Sequence, residues 1–146
     1  MWNKVSTQVE LDDFIAKFLG FHDSCIKEIK YTSGAFVNEN LSMHPLNDKR
    51  KLTVIIERQF DDYPIIELEF SGLQYLKLYP IQENYTCEIL DSTVIFKDGY
   101  IYWADIGGLE ENQLDDYDGT VVCAEKLRWR RLDVPFGDKE LYSLNC

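Results

Sequence analysis

One stretch of this chain has a strong helical pattern, and the residues after it have mainly the pattern of strands. Thr7 and Glu10 form a T-x-x-E capping box, which satisfies backbone donors at a helix start. Gly20 stands where a left-handed C-cap belongs. Between them, apolar residues recur at helical spacing: Leu11, Phe14, Ile15, Phe18 and Leu19. Such a stripe must lie against an apolar surface, which a sheet supplies most simply.

Short apolar or alternating runs follow the helix, at 25–32, 35–43, 52–60, 66–71, 73–79, 85–90, 94–97, 100–103 and 120–132. Asp98-Gly99 is a type I′ hairpin signal between two of them. There is no alternation of strand and helix patterns, so a parallel sheet is not expected. The sequence therefore predicts a mainly β (α+β) fold. One N-terminal helix packs on an antiparallel sheet or a two-sheet sandwich of about seven to eight strands, in a single domain over 1–146.

The charge balance limits the classes of partner. The chain carries 26 acidic and 15 basic residues, for a formal net charge of −11. Such a surface repels nucleic-acid phosphates and anionic lipid, and it attracts basic proteins. Solubility alone is the simpler explanation of the acidity, because many cytosolic proteins are acidic. We therefore expect no nucleic-acid partner and no membrane partner, and a basic protein as the partner if the acidity is functional.

The cysteines and the absence of familiar motifs indicate the compartment and the chemistry. The chain has four cysteines and no C-x-x-C pair: Cys25, Cys87, Cys123 and Cys146. The first residues lack the basic and apolar pattern of a secretory signal, so we expect a cytoplasmic protein with free thiols. Cys146 is expected to be exposed. No phosphate loop, dinucleotide fingerprint or nucleophile elbow is present, so no cofactor and no catalytic residue is predicted.

The best candidate binding residues lie in a Gly-rich acidic segment, residues 105–119. They are Glu110, Glu111, Asp115, Asp116, Tyr117 and Asp118. Residues 114–125 come close to a calcium-loop pattern, but Leu114 stands where the first ligand should be and a strand follows in place of a helix. We therefore predict no metal site here, and a solvated acidic surface instead.

An alternative pocket is suggested by His22 and Asp23, with Asp105 as a third member. Adjacent His and Asp side chains can perform acid–base work if both reach one groove. The competing interpretation is structural, with Asp23 or Ser24 holding a turn and His22 binding a buried carbonyl. The pocket hypothesis requires the three side chains to line one cleft.

Two further clusters have two interpretations each. Arg128, Arg130 and Arg131 surround Trp129, which suits either a base-stacking surface or a strand face whose arginines pair with carboxylates. The second is favoured by the strong negative charge of the chain. The tyrosines similarly suit either a binding face or the edges of a sheet.

The segment F-H-D-S-x-I, at residues 21–26, resembles an element that opens a set of uncharacterised small bacterial β-rich proteins. Some of these are classed as immunity proteins of polymorphic toxin systems. The resemblance implies a protein that neutralises a toxin domain by binding it, and it assigns no catalytic residue.

Three hypotheses follow. The first is a non-catalytic cytosolic binding protein of the immunity type, with the acidic segment against a basic partner. The second is an enzyme or small-ligand binder with the pocket near His22 and Asp23. The third is a self-associating module, with a homodimer formed through an edge strand or the tyrosines.

Overall fold

The computed structural model describes residues 1–143, and within them the chain forms one α-helix, nine strands and two short 3-10 helices. The predicted exposure of Cys146 concerns a residue outside this range. The 3-10 helices are Leu19–Phe21 and Glu111–Gln113. The remaining elements are β1 (Asn3–Val5), α1 (Gln8–Lys17), β2 (Ser24–Thr32), β3 (Phe36–Val37), β4 (Met43–His44), β5 (Lys51–Arg58), β6 (Ile65–Lys77), β7 (Thr93–Lys97), β8 (Tyr100–Ala104) and β9 (Val121–Arg131).

Seven of these strands form one antiparallel sheet in the order β2-β5-β6-β9-β8-β7, with β1 beside β9. Strand β9 pairs with β6 along one edge. Its other edge pairs with β8 in the first half, where Tyr102 faces Cys123, and with β1 in the second half, where Lys4 faces Arg128. The mainly β prediction with one helix is confirmed, and the arrangement is one sheet with a separate β3–β4 hairpin.

Helix α1 begins as the sequence predicts, because Thr7 and Glu10 form a reciprocal capping box. Its apolar stripe packs on one face of the sheet, where Phe18 meets Trp129 edge-on at 4.9 Å between ring centroids. Full burial of a side chain of this size contributes about 1.5–3 kcal/mol. Leu19 is the exception in the predicted stripe: its φ of +51° starts a 3-10 turn and leaves it 57% exposed.

On the opposite face of the sheet, the middle of β6 and the second half of β9 carry charged side chains. Arg130 Nη2 lies 2.8 Å from Glu67 Oε1, and Arg128 Nη2 lies 2.8 Å from Glu69 Oε1. The ring of Trp2 lies 4.4 Å from both guanidinium groups. Pairing of these arginines with carboxylates is thus confirmed. Trp129, which a base-stacking surface would need exposed, is buried in the core.

Three strand predictions need correction. Residues 65–77 form one continuous strand with a register shift near Leu73, where two strands were predicted. Residues 85–90 make only one isolated bridge, Ser24 to Ile89, because Ile89 alone of that run is buried. Cys87 is consequently exposed and outside any strand. Residues 35–43 are not one strand, because the chain reverses there between β3 and β4.

Candidate functional site

The acidic loop, residues 105–119, covers a second apolar cluster on the face of the sheet that α1 does not cover. Leu114 is the residue that anchors it. Its side chain is 1% exposed and packs in a cluster with Tyr102, Val121 and Cys123. The side chain at the first position of the calcium-loop pattern, Leu114, therefore points into the protein interior and away from solvent. The loop backbone follows the surface of the sheet because this leucine is buried there.

Hydrogen bonds fix the loop at further points. The Tyr117 hydroxyl donates to Asp105 Oδ1 at 2.5 Å. Thr93 Oγ1 donates to the Ile106 carbonyl at 2.7 Å and accepts from the Leu109 amide at 3.1 Å. Lys77 Nζ donates to the Tyr117 carbonyl. These contacts join β6 and β7 to both ends of the loop, so its backbone is held in one position.

Tyr117 differs from its five acidic neighbours, because its ring points inward and is half-buried. Burial raises the pKa of the Tyr117 phenol above its ordinary value, and the hydrogen bond to Asp105 raises it further. A Cβ added at Gly119 would meet this ring at 2.2 Å, so the ring occupies space that glycine leaves free. Tyr117, which the sequence offered as a candidate binding residue, thus holds the loop against the sheet.

Five of the six acidic side chains of the loop project outward. All five of the carboxylates singled out from the sequence are exposed: Glu110, Glu111, Asp115, Asp116 and Asp118. The side chain of Asp118 is 97% exposed and has one long ion pair, 4.0 Å, with Lys77. The loop has no basic residue in its sequence. The structure thus brings these five residues together on one fixed, negatively charged surface.

The residues of the alternative pocket do not line one depression. His22 Nδ1 lies 2.8 Å from the Leu90 carbonyl, and its Nε2 lies 3.4 Å from Asp23 Oδ2. Asp23 lines an open depression of about 550 Å³ beside Glu57, at the ends of β2 and β5. Asp105 lines a different one, of about 620 Å³, where it binds Tyr117. His22 and Asp105 are therefore engaged in local contacts of the kind expected for structural residues.

A second exposed segment was not singled out by the sequence. Residues 33–50, here called the arm, carry β3 and β4 and connect β2 to β5. The Ser33 carbonyl accepts from the amides of Lys49 and Arg50 at 3.0 and 3.2 Å, which closes the base of the arm. Phe36 and His44 stack at 4.9 Å between ring centroids. The signal that could have revealed it is an apolar run interrupted by Asn and Ser, which predicts a short hairpin.

Two further features of residues 1–143 bear on metal binding and on membranes. No group of three or more His, Cys, Asp or Glu side chains in that range is arranged to hold a metal ion. None of the helices described there is both long and apolar enough to cross a membrane.

Comparisons with models of known protein families, with curated proteins and with solved structures find no match for this chain. The candidate site therefore depends on the geometry of the chain alone. It is the acidic loop, because that loop combines a fixed backbone with a group of exposed carboxylates.

Proposed function

We propose that this chain is a non-catalytic cytoplasmic binding protein of the immunity type, which neutralises a basic partner protein, such as a toxin domain, by covering it with the acidic loop. The observation that carries the proposal is the fixed loop backbone with its outward carboxylates. Residues 105–119 contain six acidic residues and no basic one. A concentrated charge of this kind selects for a complementary basic surface.

Charge also favours rapid encounter, which a protein that must neutralise a toxin requires. A net charge of −11 attracts a cationic protein over distances comparable to the Debye length, about 8 Å at physiological salt. Steering of this kind raises association rates by about 10- to 1,000-fold in low salt. The proposal therefore implies an association rate that falls as salt is added.

The fixed backbone favours affinity as well as rate. Ordering one flexible side chain at an interface costs about 0.5–1.5 kcal/mol, and ordering a loop costs more. Leu114 and Tyr117 already hold the acidic loop before any partner arrives. The loop therefore loses little conformational entropy on binding.

The test is capture from a native lysate with the immobilised protein at low and high salt, followed by measured affinity for the captured basic protein. One variant neutralises the loop with Glu111→Gln, Asp116→Asn and Asp118→Asn. The matched control neutralises three exposed carboxylates outside both the acidic loop and the arm, with Asp13→Asn, Asp61→Asn and Glu83→Gln. Both variants lose three negative charges, so any difference between them reports position and not net charge.

We expect the loop variant to bind at least about tenfold more weakly than the control, and mainly through slower association at low salt. Equal affinities for the two variants would overturn the assignment of the acidic loop, because net charge alone would then explain binding. Capture of no basic protein at either salt concentration would overturn the function itself.

A further inference from the structure

The arm exposes a group of large apolar side chains. Leu41 is 84% exposed, Met43 is 66% exposed and Phe36 is 54% exposed. Three more large side chains on or next to the arm are also exposed: Tyr31, Val37 and Leu46. The pairing of β3 with β4 places Val37 directly opposite Met43, and exposed apolar side chains that are grouped in this way mark an interaction surface. A lone two-stranded hairpin is also marginally stable in water, so packing against another surface stabilises it.

A free sheet edge begins where the arm ends. Strand β5 pairs with β6 only from Glu57↔Ile65 to Leu52↔Phe70, whereas β6 continues to Lys77 and is paired there with β9 on its other side. The Leu73 amide donates to the Arg50 carbonyl at 2.9 Å, at the base of the arm. Among the described strands, none pairs with residues 74–77 on the β5 side. Backbone groups on such an edge accept an additional strand.

The charge of the arm identifies the kind of partner that fits. Residues 33–50 contain two acidic residues, Glu39 and Asp48, and two basic ones, Lys49 and Arg50, so the arm has no net charge. The whole chain has a net charge of −11, so two copies repel each other at most of their surfaces. The arm is a place where a second copy can approach without that repulsion. A basic partner gains no charge attraction there.

We propose that the chain forms a homodimer in which the arm of each copy packs on the free β6 edge of the other. The interface is isologous, because the same arm and the same edge are used by both copies. Main-chain hydrogen bonds to residues 74–77 extend the sheet, and the apolar side chains of the arm are removed from water. The proposal does not use the acidic loop or its partner, although Lys77 at the end of this edge also contacts Tyr117 and Asp118 of that loop.

Sedimentation velocity on the purified full chain tests the dimer over roughly a hundredfold range of concentration. We expect a species of twice 17.1 kDa at the upper concentrations. Added salt should strengthen the dimer, because it screens the repulsion between two copies of charge −11. This salt dependence is opposite in sign to that expected for the basic partner. A monomer at every concentration and salt overturns the proposal.

Matched double variants locate the interface. The arm variant is Leu41→Glu with Met43→Glu, and the control is Val9→Glu with Leu90→Glu, at positions 70% and 64% exposed. Both add two negative charges at exposed apolar positions, so neither is expected to impair folding. We expect the dissociation constant of the arm variant to rise at least about hundredfold, because its carboxylates lose water at an apolar contact. The control should dimerise nearly as the wild type does.

Amide hydrogen exchange gives a second readout. Amides in residues 74–77 should exchange more slowly in the wild-type dimer than in the arm variant. If the arm variant still forms the dimer, the interface does not lie at the arm. The same conclusion follows if the control variant dimerises as weakly as the arm variant. A monomeric wild type that binds a foreign protein through Leu41 and Met43 would assign the arm to that protein and overturn the homodimer.

Discussion

The acidic loop and the arm are two long excursions from the same sheet, and they place their apolar side chains in opposite directions. In the loop, Leu114 and Tyr117 point inward and complete a cluster, so that mainly carboxylates face solvent. In the arm, Phe36, Leu41 and Met43 face solvent, while main-chain hydrogen bonds close its base. The first segment offers fixed charge and the second offers unburied apolar area.

Because of this difference, the two proposed surfaces should respond oppositely to salt. The proposed binding through the loop is electrostatic, so screening should weaken it. The proposed association through the arm depends on apolar burial and backbone pairing, and screening should help it by reducing the repulsion between copies. The contrast between the loop and the arm depends on how tightly each segment packs onto the sheet. Substitutions in each segment can measure this packing through the free energy of unfolding.

The largest expected effect comes from the anchor of the acidic loop. We expect Leu114→Ala to lower the free energy of unfolding by about 2–5 kcal/mol, because it leaves a cavity under the loop. Leu41→Ala, the same substitution in the arm, should change it by less than about 0.5 kcal/mol. Urea denaturation of both purified variants and the wild type, at concentrations where the chain is monomeric, measures the two changes in the free energy of unfolding. Equal losses would show that the arm is packed as tightly as the loop.

The parts of the fold that depend on local sequence were predictable. The capping box at Thr7 and Glu10 formed as expected, and Asp98-Gly99 adopts the two positive φ angles of its hairpin turn. Alternation within strands also indicated that Arg128 and Arg130 share a polar face. Each of these features involves residues within a few positions of each other or a simple period of two.

Features that depend on distant partners were not predictable. The acidic residues of the loop could be read from the sequence, but the inward turn of Tyr117 depends on Asp105, twelve positions away. The separation of His22 from Asp105 depends on which loop each side chain meets after the sheet has formed. The exposure of the arm follows from β5 beginning at Lys51 while β6 continues to Lys77, which no local pattern indicates.

A smaller effect is expected from Tyr117→Phe, which keeps the ring and removes its hydrogen bond to Asp105. We expect the free energy of unfolding to fall by about 1 kcal/mol near neutral pH. Guanidinium denaturation of the wild type and the variant at pH 7 measures the loss.

The same pair has a testable pH dependence. The pKa of Tyr117 is raised in the folded protein by burial and by Asp105, so above the ordinary value of 10.0 the unfolded chain loses this proton first. The contribution of Tyr117 is therefore complete below pH 10 and is lost as pH rises above it. The variant should lose less stability than the wild type in that alkaline range. If the free energy of unfolding falls equally with pH in the wild type and in the variant, the Tyr117 phenol makes no such contribution.

The smallest effect on global stability is expected in the arm, from His44→Ala. This substitution removes the stack on Phe36 and the 3.0 Å contact between His44 Nε2 and Asp48 Oδ2. His44 is only partly buried and belongs to a two-stranded hairpin, so global unfolding should change by less than about 0.5 kcal/mol. Local opening of the hairpin should nevertheless become more frequent, because local and global unfolding have separate free energies.

Amide hydrogen exchange distinguishes these two levels of unfolding. At concentrations where the chain is monomeric, amides of residues 36–44 should exchange faster in His44→Ala than in the wild type, while amides of residues 105–119 should not change. Gln8→Ala serves as a control, since it removes another exposed polar contact, from Gln8 to Asp12, far from the arm in sequence. Faster exchange in both segments would mean that the arm and the acidic loop open together. That result would remove the contrast between a fixed loop and a separately stabilised arm.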